Sequence, residues 1–296
     1  MKFRLPERSV SQKPEITPAL SLILACYLVA RVLEVAPTSI PRTAIVALDV
    51  LSAMSFALVD GARHYRLRGI LVFAGLCILV GNIAENLSIA TGFPFGHYYF
   101  VELMGPKLFQ VPVLLGLAYI GMSYVSWTVA RLIVGQPQAP VAGWRIIALP
   151  AVASLVMVAW DLAQDPVWAT VLRGWVWRDG GAWFGVPVSN YLGWYGTVFT
   201  IYLLFALYLR HWQVAESAEP QPSLRPAVVF YLLCAAGNVL QVFSHQAMNV
   251  ATDPTGKQWS YAEIVGASAL VSVFIMGGFA AVAWVRLAEL GKTSTD

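Results

Sequence analysis

Asp161 and Asp165 stand at i and i+4, so any helix holding them projects both carboxyls from one face, one turn apart. They close a long apolar run in WDLAQDP, and Pro166 is the expected end of that helix. An aromatic, Gly-rich segment follows, and a second apolar run begins near Ser189. Glu85, in GNIAENLSIATGFPFGHYYF, is another candidate acid. Asn82 and Asn86 flank it and are expected within hydrogen-bonding reach on one side of its helix. Ionisable groups inside apolar spans are costly and read as functional by default. Asp49 and His245 join that set, Asp49 as a structural residue and His245 as an interhelical hydrogen bonder, with Asn238 and Gln241 as polar neighbours. The plainer readings are a carboxylate that ties helices together, for Glu85, and a solvated helix-end pair, for the aspartates.

Aromatic residues surround these acids in sequence. Phe95, His97, Tyr98, Trp127, Trp160 and Trp194 are the expected substrate-facing set, with Trp168, Trp175, Trp177, Trp183 and Tyr191 nearby. An interfacial belt accounts for several of them, but the density over 160–195 exceeds what anchoring needs. Aromatic faces stabilise cations by about 2 kcal/mol or more when desolvated. A carboxylic acid that keeps its proton in an apolar site, set beside such faces, can protonate an alkene and hold the carbocation that results.

The elements that must position these groups follow from composition. The chain has 296 residues, of which 58% are hydrophobic and 12% charged. Soluble domains carry about 25% charged residues, so the solvent for this chain is the bilayer. At about 20 apolar residues per span, roughly eight helices are expected, over 18–36, 43–60, 69–90, 111–134, 145–165, 189–210, 226–250 and 261–286. This predicts an all-α, polytopic membrane bundle forming a single domain over 1–296, with the bundle at 17–290 and a polar tail at 1–16. The first apolar run is interrupted by Arg31 and Glu34 and reads as a retained helix, not a signal peptide. Most Lys and Arg fall on one set of connections, which places both termini in the cytoplasm. The connections 91–110 and 166–188 then share the opposite side. Both contain Gly and Pro, and irregular backbone at that depth must be covered by protein or line a cavity. One pocket lined by both loops is expected.

Several chemistries lack their parts. Net charge is +3, with basic residues in short clusters, which gives nucleic-acid binding no support. The three cysteines lie unpaired in apolar runs and read as packing residues. Four scattered histidines do not make a di-iron centre, and no dinucleotide loop or serine elbow is present. No metal and no cofactor is therefore expected. The D-x-x-x-D spacing suits a magnesium–diphosphate site of a membrane prenyltransferase, but no second Asp motif accompanies it.

The segments GNIAENLSIATGFPFGHYYF, GPKLFQVPVLLGLAYIGMSY and MVAWDLAQDPVWATVLRGWVWRDGGAWFGVPVSNYLGWY resemble the membrane carotenoid biosynthesis proteins. The resemblance covers roughly residues 70–210 well. Characterised members of that family are carotenoid 1,2-hydratases acting on γ-carotene-type or bacterioruberin-type end groups. The resemblance implies a lyase in the cell's inner membrane that hydrates a terminal isopropylidene double bond without metal or redox cofactor. Its partners would be a polyene or isoprenoid substrate, membrane lipid and other carotenoid-pathway enzymes. On that reading Asp161 or Asp165 donates the proton, and the other aspartate or Glu85 orients the water. Tyr98, Trp160 and Trp194 face the cation, and Asn190 holds the water. Two other classes stay open: an acid-initiated terpene or carotenoid cyclase or isomerase, and a proton-coupled lipid carrier. Product mass separates the first from hydration, and the absence of any product marks the second.

Overall fold

A computed structural model describes residues 16–135, 137, 140–212, 222–244 and 249–293. Helix α1 (Pro18–Leu33) opens with Pro in its first turn, and the Thr17 side chain accepts from the Leu20 amide as its cap. Helix α2 (Arg42–Thr91) is followed by α3 (Val113–Val134), α4 (Arg145–Pro166), α5 (Val188–His211), α6 (Arg225–Leu240), α7 (Tyr261–Leu270) and α8 (Gly277–Thr293). A π-helical segment, Val167–Val171, prolongs α4, and another, Val271–Met276, joins α7 to α8.

The protein is an all-α, membrane-type bundle. Among the described residues six helices are long and apolar enough to cross a membrane, with α2 counted once. Helix α1 has 16 residues and is shorter, rising about 24 Å where a hydrocarbon core is about 30 Å thick. The expected spans 43–60 and 69–90 both lie within α2, which is broken by Arg66 at φ 58° and ψ 169°. Its two arms fold back on each other. Phe56 and Phe73 both lie 6.3 Å from the Tyr124 ring, and a Cβ on Gly61 would meet Ile70 Cδ1 at 2.4 Å. In one straight helix those last two residues would be about 13.5 Å apart.

The α-helical part of α4 ends at Pro166 as expected, but the rod does not stop there. Proline removes one helical hydrogen bond and crowds the carbonyl four residues back, here that of Leu162. The Trp183 indole donates to the Leu162 carbonyl at 3.0 Å, and the chain continues into the π-helical segment. The loops also add what an all-helical expectation leaves out. Among the described residues six short strands, β1 (Tyr98–Phe100), β2 (Lys107–Leu108), β3 (Val111–Pro112), β4 (Trp175–Trp177), β5 (Val250–Thr252) and β6 (Gln258–Ser260), form three antiparallel ribbons. The β1–β4 ribbon pairs Tyr98 with Trp177 and Phe100 with Trp175. It therefore joins the two loops expected to share a pocket. In the β5–β6 turn, burial pushes the Asp253 carboxyl up. Hydrogen bonds from Thr255, Trp259 and the Lys257 amide outweigh that and hold it below the usual aspartate range.

The core runs the length of the bundle and includes seven fully buried aromatic residues of α3, α5 and α6: Tyr119, Tyr124, Trp127, Tyr202, Phe205, Phe230 and Tyr231. Buried hydroxyls need partners, and these find them: Tyr124 donates to Asp60 at 2.8 Å and Tyr231 to the Val156 carbonyl at 2.8 Å. The end of α1, both ends of α2, the start of α3, the end of α4 and the start of α5 converge on the side that carries the β1–β4 ribbon.

Candidate active site

The last turn of α4 and the first turn of α5 bring three polar side chains together. Asn190 donates through its amide nitrogen to Asp165 Oδ2 at 2.6 Å and to Asp161 Oδ2 at 3.2 Å. The i, i+4 spacing puts both carboxyls on one helix face, as expected, and one amide gathers them. The Trp175 indole on β4 donates to Asp165 Oδ1 at 2.7 Å. Asp165 thus accepts an N–H on each oxygen, whereas Asp161 accepts one bond among the described residues, from Asn190. Both carboxyls are buried.

Glu85 lies on the second arm of α2 and is buried too. The Tyr119 hydroxyl donates to its Oε1 at 2.8 Å, and the Tyr98 hydroxyl donates to its Oε2. One carboxylate therefore ties α2 to α3 and to the ribbon. Trp194 stacks on Tyr119, with centroids 4.5 Å apart and planes 6° apart. Phe95 lies 6.3 Å from Trp194. The loop carrying Phe95 is fixed at several points. Ser88 Oγ accepts from the Phe95 amide at 3.1 Å and donates to the Gly96 carbonyl at 2.9 Å, and Ser189 Oγ donates to the Phe95 carbonyl at 2.7 Å.

These groups surround a cavity of about 100 Å³, where one water needs roughly 10–15 Å³. Glu85, Asp161, Asp165 and Asn190, with Asp49 and Gln164, supply its polar wall. Phe95, Tyr98, Tyr119, Trp160, Trp175, Trp177 and Trp194 supply much of the rest. The arrangement suits an apolar chain end that meets carboxyl groups while aromatic faces flank it.

The structure thus gathers Glu85, Asp161, Asp165, Asn190, Phe95, Tyr98, Trp160 and Trp194. Four expected site residues lie elsewhere. Asn82 and Asn86 bond each other at 2.9 Å, and Asn86 also accepts from the Gln110 amide. Their own i, i+4 spacing makes them partners of one another, so neither serves Glu85. His97 is exposed and pairs with Asp179 at 3.1 Å. Trp127 is fully buried in the opposite half of the bundle, where its indole donates to the Tyr65 hydroxyl at 2.9 Å and its ring stacks on Tyr202. Asp49, read as structural, both lines the cavity and lies 3.8 Å from Arg31. His245 lies outside the described residues. Tyr119 escaped the reading of the sequence because VLLGLAYIGMSY carries no acidic or amide neighbour to mark it. Only the fold brings it to Glu85.

Residues 42–253 match the carotenoid biosynthesis protein family, and the chain belongs to that family. No curated protein and no solved structure matches it. A family of this kind, together with six apolar helices, makes this a membrane protein with a role in carotenoid biosynthesis.

Proposed function

We propose that the protein is a carotenoid hydratase that adds water across the terminal isopropylidene double bond of an acyclic carotenoid end group. The observation that carries this reading is the gathering of three buried carboxyls against aromatic walls in one cavity. Asp165 already accepts an N–H on each oxygen, which suits a carboxylate. Asp161 has a single donor among the described residues and therefore room for an acidic O–H. Asp161 passes that proton to the less substituted alkene carbon, and the π pair becomes the new C–H bond. The tertiary cation lies against the stacked Trp194 and Tyr119, with Tyr98 and Trp160 alongside. The Glu85 carboxylate, fixed by two tyrosines, faces the positive charge. Water gives a lone pair to the cation, and the oxonium returns a proton to Asp161. The product is a tertiary alcohol, and the acid is restored.

Asn190 spends its amide N–H groups on aligning both aspartates, which leaves its side-chain carbonyl oxygen to accept from the water. In an inner membrane with both termini cytoplasmic, the cavity lies at the non-cytoplasmic end, and the polyene reaches it from the lipid. The scheme needs neither metal nor redox cofactor.

Expression in a lycopene-producing host, with pigments weighed by mass spectrometry, tests the reading. A gain of one or two waters per molecule is expected. Asp161→Asn should lower alcohol formation by about 10²–10⁴-fold, the usual contribution of a positioned acid. Full activity in both Asp161→Asn and Asp165→Asn would remove the aspartates from the chemistry. Unchanged mass with altered absorption would replace hydration by cyclisation or isomerisation.

A further inference from the structure

Hydration consumes a water at each turnover, in a pocket whose entrance then holds a hydrocarbon chain. The route by which that water arrives is a separate structural question. A second cavity of about 450 Å³ lies at the same end of the bundle, among the end of α1, the start of α2, the end of α4, and helices α6 and α7. Its rim includes Pro37, Thr38 and Ile40 of the α1–α2 connection and Arg42 at the start of α2, all exposed to solvent.

Its interior is polar. Arg31 is 2% exposed and holds Glu34 at 2.8 Å and Asn238 Oδ1 at 2.8 Å, and Gln241 donates to Glu34 at 3.2 Å. Ser268, 3% exposed, lines the same space, and its hydroxyl has no hydrogen-bond partner among the described residues. Buried polar groups of that kind are ordinarily satisfied by water.

The two cavities share Val46, Gln164 and Trp168 as walls. Trp168 donates to Gln164 Oε1 at 3.1 Å, which fixes the amide in the partition directly beside Asp165 in the chain. A polar seam also crosses between them, because Arg31 faces Glu34 in the outer cavity and Asp49 on the wall of the inner one. On the inner side, Trp160 Nε1 is buried with no partner among the described residues.

We infer that the outer cavity is the water entry of the acid pocket, with Gln164 as the residue that hands water across the partition. The inference rests on the hydratase reading. The hydrocarbon lies against the aromatic walls of the inner cavity and water arrives through the polar outer one, so the two reactants do not compete for a path. Arg31 and Glu34 lie before residue 42, outside the stretch that matches the family.

If water is withheld, the cation has another exit. It loses a proton from an adjacent methyl group to the Asp161 carboxylate, which gives a terminal methylene isomer of unchanged mass and regenerates the acid. Blocking the outer cavity should therefore redirect product and not simply stop turnover. Two obstructions are tested on full-length protein in membranes with lycopene as substrate. One is Thr38→Cys, capped at the rim with a bulky, reducible thiol reagent, beside identically treated wild type as the control for Cys26. The other is Ser268→Leu, compared with Ser268→Ala, which leaves the space open.

The capped protein and Ser268→Leu should form alcohol at least about tenfold more slowly and accumulate the methylene isomer, read by proton NMR. Reduction of the cap should restore alcohol, and Ser268→Ala should stay within about twofold of wild type. Unchanged alcohol formation under the rim cap overturns the inference and leaves the hydratase reading standing. Loss of alcohol without any isomer also overturns it, since the defect then lies in the acid. Absence of alcohol from untreated wild type overturns the hydratase reading, and this inference with it.

Discussion

Glu85 shows how much one buried side chain can be asked to do. Both of its oxygens accept tyrosine hydroxyls, from Tyr98 on β1 and Tyr119 on α3. Replacing it by glutamine keeps the shape but turns one acceptor into a donor, so one tyrosine must face an N–H. Hydrogen bonds to charged groups are worth about 1.5–3 kcal/mol, and Glu85→Gln should destabilise the protein by about that amount, measured by thermal unfolding in detergent. Alcohol formation should fall further, by about tenfold or more, because the cation also loses its facing charge. Tyr119→Phe removes one donor and leaves the charge, so it should cost stability with a smaller loss of rate. Equal rate losses in both variants would assign Glu85 a purely structural role. The acids themselves were legible from sequence because a charge in an apolar run has to be explained. Their partners were not. Tyr119 sits in an apolar run with nothing to mark it, and the spacing that sets Asn82 and Asn86 beside Glu85 also matches them to each other.

At the scale of elements, the cavity depends on a loop pressed against a helix. A Cβ on Gly193 of α5 would lie 2.6 Å from Phe95 Cδ1 and 2.9 Å from the Pro94 carbonyl. The loop is pinned by Ser88 and Ser189 and cannot retreat without losing those bonds. Overpacking of this kind costs about 1–3 kcal/mol. Gly193→Ala should lower the unfolding midpoint and reduce alcohol formation by moving the Phe95 wall. Gly196, three residues along the same helix, has nothing within 4 Å of its missing Cβ. Gly196→Ala should raise stability by about 0.5–1 kcal/mol through helix propensity. If the two substitutions behave alike, loop contact is not what makes Gly193 necessary. The helices were readable because hydropathy over about 20 residues is a strong signal. The ribbons were not, because three-residue strands such as Tyr98–Phe100 and Trp175–Trp177 form only when distant loops meet. The fold-back of α2 was readable only as two separate spans, since Arg66 carries no glycine or proline to announce a turn.

At the scale of the whole molecule, the stretch that matches the family begins at residue 42 and leaves α1 outside it. The fold nevertheless treats α1 as part of the bundle. Leu20, Tyr27 and Ala30 are buried, Tyr27 lies 4.3 Å from the Phe230 ring of α6, and its hydroxyl donates to Cys234 Sγ at 3.1 Å. Arg31 completes the join, bridging Glu34, Asp49 and Asn238, and a Cβ on Gly237 would lie 2.1 Å from Arg31 Nε. Glycine at 237 is what lets a guanidinium cross the α6 backbone so closely. Removing one member of a buried ion pair costs about 3–5 kcal/mol, because the remaining charge is left uncompensated, whereas replacing the whole pair by apolar groups is often neutral. Arg31→Met should therefore lower the unfolding midpoint sharply by stranding Glu34 and Asp49. The triple variant Arg31→Met, Glu34→Met, Asp49→Leu should recover most of that loss. Recovery of stability without recovery of alcohol formation would show that these charges are retained for the reaction and not for the fold. An Arg31→Met protein as stable as wild type would instead mean that α1 is held by its apolar face alone.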